Sequence, residues 1–560
     1  MDKRTVIALL IIALIFITLP YYWEMVGFAP KEAPENLPVD TVAAGSDSAL
    51  YPNDTGALAA SPEVAGRPDT AGLALAPPGA ARLDTLPEEI YEIETELYSA
   101  QISSRGGSIS SFVLKKFDYF QGDQIDLVPE REDYPLQFAF PEVDGLSSAS
   151  LSFRGRDRHL DLTGRGPDSA TLDFEARTAG DVPIRLSYTF HRSTYTIGLT
   201  ISAPRDRELA RLTRLNLLWK GGLDPTEENV SDDYGYFAGY VRQATEVAKF
   251  QKFKDGLLHE GSSGDVNWVG TKSKYFLVTM RAADGPAEDF DIAATERKQL
   301  EKGQEAAKRV FDLSLGRRVT GAIDSRFELY LGPLDYGILG AVGHDMERTV
   351  EMGFWLFRPF AVAILWFITT VHHILPNYGW VIVLFTFVMK AILFPFSRKN
   401  YVQMAKMKAL QPKLKALQEK FKDDPQRLNQ QMMKFYKEEK FNPLGGCIWM
   451  LPQLPIFWAL FTVFKSAIEL RGAGFLWLVD LSQPSLALAV IMSLAMLVQQ
   501  MLTNKDPKQK FMVYGFPVIM FFLFKGFPAG LVLYWTVYNV LSIVEQKWVE
   551  HTLARDAATA

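Results

Sequence analysis

The sequence predicts a polytopic α-helical membrane protein with six spans and one large β-sandwich domain, and three observations lead there. Apolar runs cluster at the extreme N-terminus and after Gly353, whereas the stretch between them has ordinary mixed polarity, the pattern of a membrane protein with a soluble insert. Between about Ile90 and Arg326, apolar and aromatic residues alternate with polar ones, as half-buried strands require. The third observation is charge. The net −6 of the 560 residues conceals a segment from Ser397 to Phe441 with twelve Lys/Arg and five Asp/Glu, so that +7 sits there and −13 elsewhere. A segment so basic belongs on the cytoplasmic side of a membrane.

In chain order, residues 1–24 read as an N-terminal transmembrane anchor. Thr5–Leu19 is apolar, follows Lys3-Arg4 and ends in Pro20-Tyr21-Tyr22-Trp23. Aromatic residues suit a membrane interface, where a cleaved signal peptide would carry small residues instead. Residues 25–87, rich in Pro, Ala, Gly, Asp and Ser, read as a disordered tether. Residues 88–352 read as the β domain. Leu186–Phe190, Tyr195–Leu199 and Phe327–Leu331 alternate cleanly, and Ile338, Val342, Met346 and Val350 recur at helical spacing for a closing helix from about Asp335 to Met352. The region has no nucleophile elbow, phosphate loop or metal-spaced histidine cluster, and the lone Cys447 excludes a disulfide scaffold. No catalytic residue, cofactor or metal is expected.

Six more apolar segments follow: Gly353–Leu375, Trp380–Phe396, Leu444–Phe464, Ser485–Leu502, Phe511–Phe524 and Gly530–Val544. If the anchor exports the β domain, only one crossing can precede the basic segment. Gly353–Leu375, which carries Arg358, Pro359, His372 and His373, is therefore expected as an interfacial amphipathic helix over 353–377. A five-span core over 378–547 follows, then a cytoplasmic tail over 548–560. Lys505, Lys508, Lys510 and Lys547 then fall on the inner side with both chain termini.

The basic segment reads as a helical hairpin over 398–441. Tyr401, Met404, Met407, Leu410, Leu414, Leu417 and Phe421 form one apolar stripe, Asp423-Asp424-Pro425 supplies a turn and an N-cap, and Leu428, Met432 and Phe435 begin the returning stripe. Met404 and Met407 then close the seam and Met433 lies off it. A sharper reading makes these methionines an adaptable surface for hydrophobic clients. Lys406 and Lys408 supply positive-inside charge and can also meet anionic headgroups or ribosomal RNA, with no nucleic-acid sequence preference.

Lys390 is the sharpest single signal, a cation inside the apolar run Trp380–Phe396 about seven residues from its inner end. A charge there costs at least ~2.5 kcal/mol, so it is retained only where it faces a partner or a wet cavity. No intramembrane Asp or Glu is evident to neutralise it. Thr386 shares its helical face, and Gln453, Tyr534, Tyr538 and Ser542 offer polar groups from other spans. They either glue the bundle or line a cavity.

The runs Ala405-Lys-Met-Lys-Ala-Leu-Gln-Pro-Lys413, Asn442-Pro-Leu-Gly-Gly-Cys447, Pro452-Gln-Leu-Pro-Ile-Phe457 and Phe527-Pro-Ala-Gly-Leu-Val-Leu-Tyr534 resemble those of the YidC/Oxa/Alb membrane insertases, in the Gram-negative form with a large periplasmic domain. The resemblance implies a periplasmic β-supersandwich, a five-span insertase core and a place in the inner membrane. It implies a hydrophilic groove open to lipid and cytoplasm, with Lys390 at its basic position and Thr386, Gln453, Tyr534 and Trp535 in its lining. Arginine is usual at the first of these positions and a second tyrosine at the last. Lysine keeps the charge and loses the bidentate fork. The partners implied are nascent membrane proteins, the Sec translocon, the ribosome and anionic lipids, and the activity is insertion and chaperoning without covalent chemistry. Two other classes compete. A small-solute transporter or channel would need internal repeats or a polar route to both faces, and a membrane-tethered periplasmic binding domain would need a concave polar site in the β region.

Overall fold

The computed structural model describes residues 87–119, 122–128, 134–142, 146–206, 209, 212–301, 303–421, 424–439, 453–503 and 511–559. The expected anchor, nearly all of the tether, Cys447, the start of the Leu444–Phe464 run and the Lys505–Lys510 loop lie outside these residues. The described residues form two compact units divided between Gly332 and Pro333.

The first unit is built from strands. The expected alternations fall in Pro183–His191, Thr196–Ala203 and Ile323–Pro333, and in the first of these Ile184, Leu186, Tyr188 and Phe190 are the buried set. Pairing Leu186 with Ile201 keeps both apolar faces inward, and a slip of one residue would turn every one of these side chains to solvent. Among the described residues a thirteen-stranded sheet is centred on the long antiparallel strands Leu257–Lys272, Ala287–Glu301 and Gln304–Arg318. A five-stranded sheet runs from Gln124–Asp126 through Ile90–Glu94 to His159–Asp161, the last pair parallel. The two sheets meet where the Tyr91 ring sits edge-on to Phe174 at 4.9 Å and the Tyr188 hydroxyl donates to the Gly107 carbonyl at 2.6 Å. A short helix α1, Val230–Tyr234, follows an Asn229 cap.

The second unit is helical. The single helix expected from Asp335 to Met352 is instead α2, Tyr336–Val342, and a 3-10 turn, Met346–Thr349. Gly343, His344 and Asp345 all have positive φ, which ends α2 after two turns. By its contacts this stretch falls in the helical unit.

Helix α3, Arg358–His372, starts on Pro359 and buries Ala361, Ile364, Leu365 and Ile368, a single face at three- and four-residue spacing. Its 15 residues reach only ~22 Å at the usual helical rise. Helix α4 runs unbroken from Tyr378 to Lys420 through Pro395 and Pro412, so the first expected span and the first hairpin arm are one helix. Helix α5, Pro425–Glu438, returns beside it. As the turn chemistry predicts, the Asp424 carboxylate caps it by accepting from the Arg427 N–H at 3.0 Å. Lys413 closes the hairpin with an ion pair to Glu439 at 2.7 Å.

Then come α6 (Gln453–Ser466), α7 (Leu486–Thr503), α8 (Phe516–Phe524) and α9 (Ala529–Thr559). Within the described residues, Tyr378–Met407 and Leu486–Thr503 are long and apolar enough to cross a membrane. Helix α9 packs against both α4 and α7. Gly530 lets α9 lie close to α6, since a Cβ there would lie 2.8 Å from the Phe464 ring, and it is in ordinary contact range of Ile382 on α4.

In the β unit, Asp233 on α1 is fully buried and holds three backbone donors. One oxygen accepts from the N–H groups of Thr226 (2.8 Å) and Glu227 (3.2 Å), and the other from Lys274 (3.1 Å). Burial, helped by the Glu227 carboxylate, pushes its carboxyl up to about 6 against those donors. An acid raised on folding contributes stability that is present below its unfolded value near ~4 and lost as pH rises through its folded value. Relative to Asp233→Asn, the unmodified protein is expected to lose up to about 3 kcal/mol of β-unit stability between about pH 4 and pH 6. Protease resistance across that range checks this, and parallel curves for the two proteins would refute it.

Candidate functional site

Lys390 lies on the α4 face that packs against α9 and is 8 % exposed. Its ammonium donates to the Ser542 hydroxyl at 2.7 Å and to Glu545 Oε2 at 2.8 Å, and the Tyr538 ring centroid stands 4.1 Å from Nζ. The expectation that no acid would neutralise Lys390 is thereby corrected. The apolar run ends at Val544, but α9 continues for four more turns, and Glu545 stays turned toward α4 with its side chain 10 % exposed. The signal was present in the sequence. Tyr534, Tyr538, Ser542 and Glu545 are spaced four, four and three residues apart, on one helical arc.

The pair is asymmetric. The ammonium is surrounded by partners, whereas Glu545 Oε1 is buried without a hydrogen-bond partner among the described residues. Two hydrogen bonds hold the surroundings. Ser542 donates to the Tyr538 carbonyl at 2.7 Å, and the Tyr401 hydroxyl, from the inner extension of α4, donates to the Ser542 carbonyl at 3.2 Å.

The other expected lining residues divide. Gln453 donates to the Tyr534 hydroxyl at 3.4 Å, and the Tyr534 ring lies 5.9 Å from that of Tyr538, so these two lead from α6 toward Lys390. Thr386 is fully buried and its hydroxyl donates to its own helix at the Ile382 carbonyl, 2.7 Å, rather than toward the ammonium. Trp535 sits among Phe457, Phe524 and Tyr538 at centroid distances of 5.7–5.9 Å, and its Nε1 is buried without an acceptor among the described residues. Asn539, one turn on, is also buried with its amide donor unpartnered among them, and sequence reasoning passed it over. In the hairpin, Met404 and Met407 are half-buried on α4 and Lys406 and Met433 are exposed, while the Lys408 side chain lies outside the described part.

Residues 90–369 match the family described as the YidC periplasmic domain, and residues 370–556 the family described as 60Kd inner membrane protein. Similarity to whole proteins is as extensive. The membrane protein insertase YidC of Syntrophus aciditrophicus is 31 % identical over 98 % of this chain and 99 % of its own. That of Chlorobium limicola is 32 % identical over 99 % and 96 %, and that of Chlorobium luteolum 31 % over 83 % of each. The chain belongs to the YidC insertase family. Its function is membrane protein insertion, it acts on nascent membrane proteins, and it is no enzyme. A large β-sheet periplasmic domain and a helical C-terminal insertase region are the two units described above. The small-solute transporter and the tethered binding domain are thus set aside.

In a YidC core the buried pair sets a thermodynamic expectation. Removing one partner strands the other in an apolar bundle and costs about 3–5 kcal/mol, whereas replacing both by apolar groups is near neutral. Lys390→Met and Glu545→Leu are each expected to lower the core's resistance to thermal unfolding, and the double variant to recover most of the loss. Strictly additive losses in detergent-solubilised protein would show that the two charges are not coupled.

Proposed function

We propose that this insertase has six spans, the N-terminal segment and α4, α6, α7, α8 and α9, with both termini cytoplasmic and the β unit outside. We further propose that Lys390, Gln453, Tyr534 and their neighbours form a client-contacting groove. Thr386 and Trp535 complete its lining through packing. The observation that carries this reading is a buried ion pair at Lys390 in the apolar part of α4, whose carboxylate has one oxygen without a partner among the described residues. A client helix can enter lipid on its own hydrophobicity, but its polar flank cannot cross a dry core. A groove with a positive charge shortens that dry path. Since Glu545 already holds Lys390, an acidic residue in the client flank exchanges with Glu545 rather than meeting a free cation. The client then leaves sideways into lipid.

The hairpin of α4 and α5 receives the client on the inner side. Met404, Met407 and Met433 give it an adaptable apolar surface, and Lys406 and Lys408 give it charge toward anionic lipid and the ribosome. Action beside the Sec translocon, and as a folding chaperone, belongs to the same reading.

Helix α3 bears on the span count. Its Arg358-Pro359 start and His372-His373 end put polar groups at both ends, and its exposed Phe360 and Trp366 suit an interface. Single cysteines at Glu351 and Asn377, in a Cys447→Ser background, are expected both to react with a membrane-impermeant thiol reagent added from the periplasmic side. Reaction at only one of them would mean that α3 crosses and the six-span topology is wrong.

The groove itself is tested through its clients. Lys390→Arg is expected to keep insertion, and Lys390→Ala to impair clients with acidic flanks more than those without. Equal impairment of both client types would remove the electrostatic exchange from the mechanism.

A further inference from the structure

Between α6 and α7 the chain makes a tight hairpin with an apolar tip. Phe475 and Leu478 exchange both backbone hydrogen bonds at 2.8 Å, and Leu476 between them is held at φ +54°. Left-handed backbone is unfavourable for a leucine, so the surroundings must impose it. They do so at three points. Phe475 is 5 % exposed and lies so close over Gly379 that a Cβ there would stand 2.0 Å from its ring, and it meets Trp380 edge-on at 5.3 Å. Asn377, the cap of α4, donates to the Gly474 carbonyl at 3.1 Å. Beyond the tip, the N–H groups of Ala529 and Gly530 at the start of α9 donate to Gln483 and Leu481 at 2.8 Å.

This rigid base presents a tip that buries little. Leu476 is 71 %, Trp477 55 % and Val479 85 % exposed, and no charged residue occurs from Gly472 to Val479. The apolar surface continues onto Trp380, Leu384 and Phe387 of α4 and Leu486 and Val490 of α7, all exposed on helices of membrane-crossing length. Trp477 and Trp380 are placed as aromatic residues are at the level of lipid headgroups. We propose that the Phe475–Leu478 hairpin is an interfacial anchor whose Leu476, Trp477 and Val479 side chains enter the outer leaflet and set the depth of α4. Lys390 follows Trp380 by ten residues, so the anchor holds the ion pair about 15 Å along the helix from the interface.

The inference rests on the topology proposed above, and the test separates the two. In the full chain with Cys447→Ser, nitroxides are placed at Leu476→Cys, Trp477→Cys, Val479→Cys and Gln483→Cys, in vesicles of phosphatidylethanolamine and phosphatidylglycerol. The three tip positions are expected to collide with oxygen more, and with a water-soluble nickel chelate less, than Gln483. A tip as open to nickel as Gln483, with the insertase alone in lipid, would overturn the anchor and point to a protein partner. A nitroxide at Phe387→Cys is expected to shift in depth when Leu476, Trp477 and Val479 are together changed to serine, and an unmoved Phe387 would overturn the depth-setting role. An impermeant thiol reagent that fails to reach Gln483→Cys from outside spheroplasts would instead overturn the topology.

Discussion

A lysine inside a helix bundle cannot be left alone, and much of the helical unit is arranged around that constraint. A buried ammonium among apolar side chains is costly unless paired, so partners are supplied from a second helix. Helix α9 supplies three within two turns, the Tyr538 ring, the Ser542 hydroxyl and the Glu545 carboxylate. For these to reach Lys390 the two helices must run close together. The Tyr401 hydroxyl fastens them by donating to the Ser542 carbonyl, and near the start of α9 Gly530 lies in ordinary contact range of Ile382 on α4. The same contacts therefore fix both the packing of α4 on α9 and the place of the charge.

Length and charge constrain the unit in a second way. Helix α4 carries the ion pair in its apolar part and the methionine and lysine stripes in its extension, without a break at Pro395. A proline in a helix removes one hydrogen bond and crowds the preceding turn, yet here the helix continues. Lys390 and the first arm of the hairpin thus lie on one continuous helix, with no loop between the ion pair and the methionines.

Much of this was legible in the sequence because the signals are periodic. Alternation located the strands around Tyr188 and Phe327, the methionine stripe and Asp424-Pro425 located the hairpin, and the lone cation pointed to a place where α4 needs a polar partner. What escaped depends on which way a side chain turns. Glu545 escapes a reading by hydropathy because the apolar run ends at Val544, although the helical arc goes on. Thr386 shares a face with Lys390, but its hydroxyl bonds back to Ile382, a choice that spacing does not reveal. The break at Gly343 escaped because apolar spacing continued across three residues with positive φ.

That the cation is a lysine and not an arginine bears on how the pair opens. A guanidinium presents two parallel donors and would engage both oxygens of a carboxylate, whereas an ammonium is a point donor. Here Nζ meets Glu545 through Oε2 alone and spends its remaining contacts on Ser542 and the Tyr538 ring, which leaves Oε1 buried and unpartnered among the described residues. A carboxylate held at one oxygen is released by breaking one bond, and its free oxygen is already short of a donor. In the exchange proposed above, the ammonium passes from Glu545 to the client's carboxylate while keeping its neutral partners, so that the cation never stands without a counter-charge among apolar side chains that cannot solvate it.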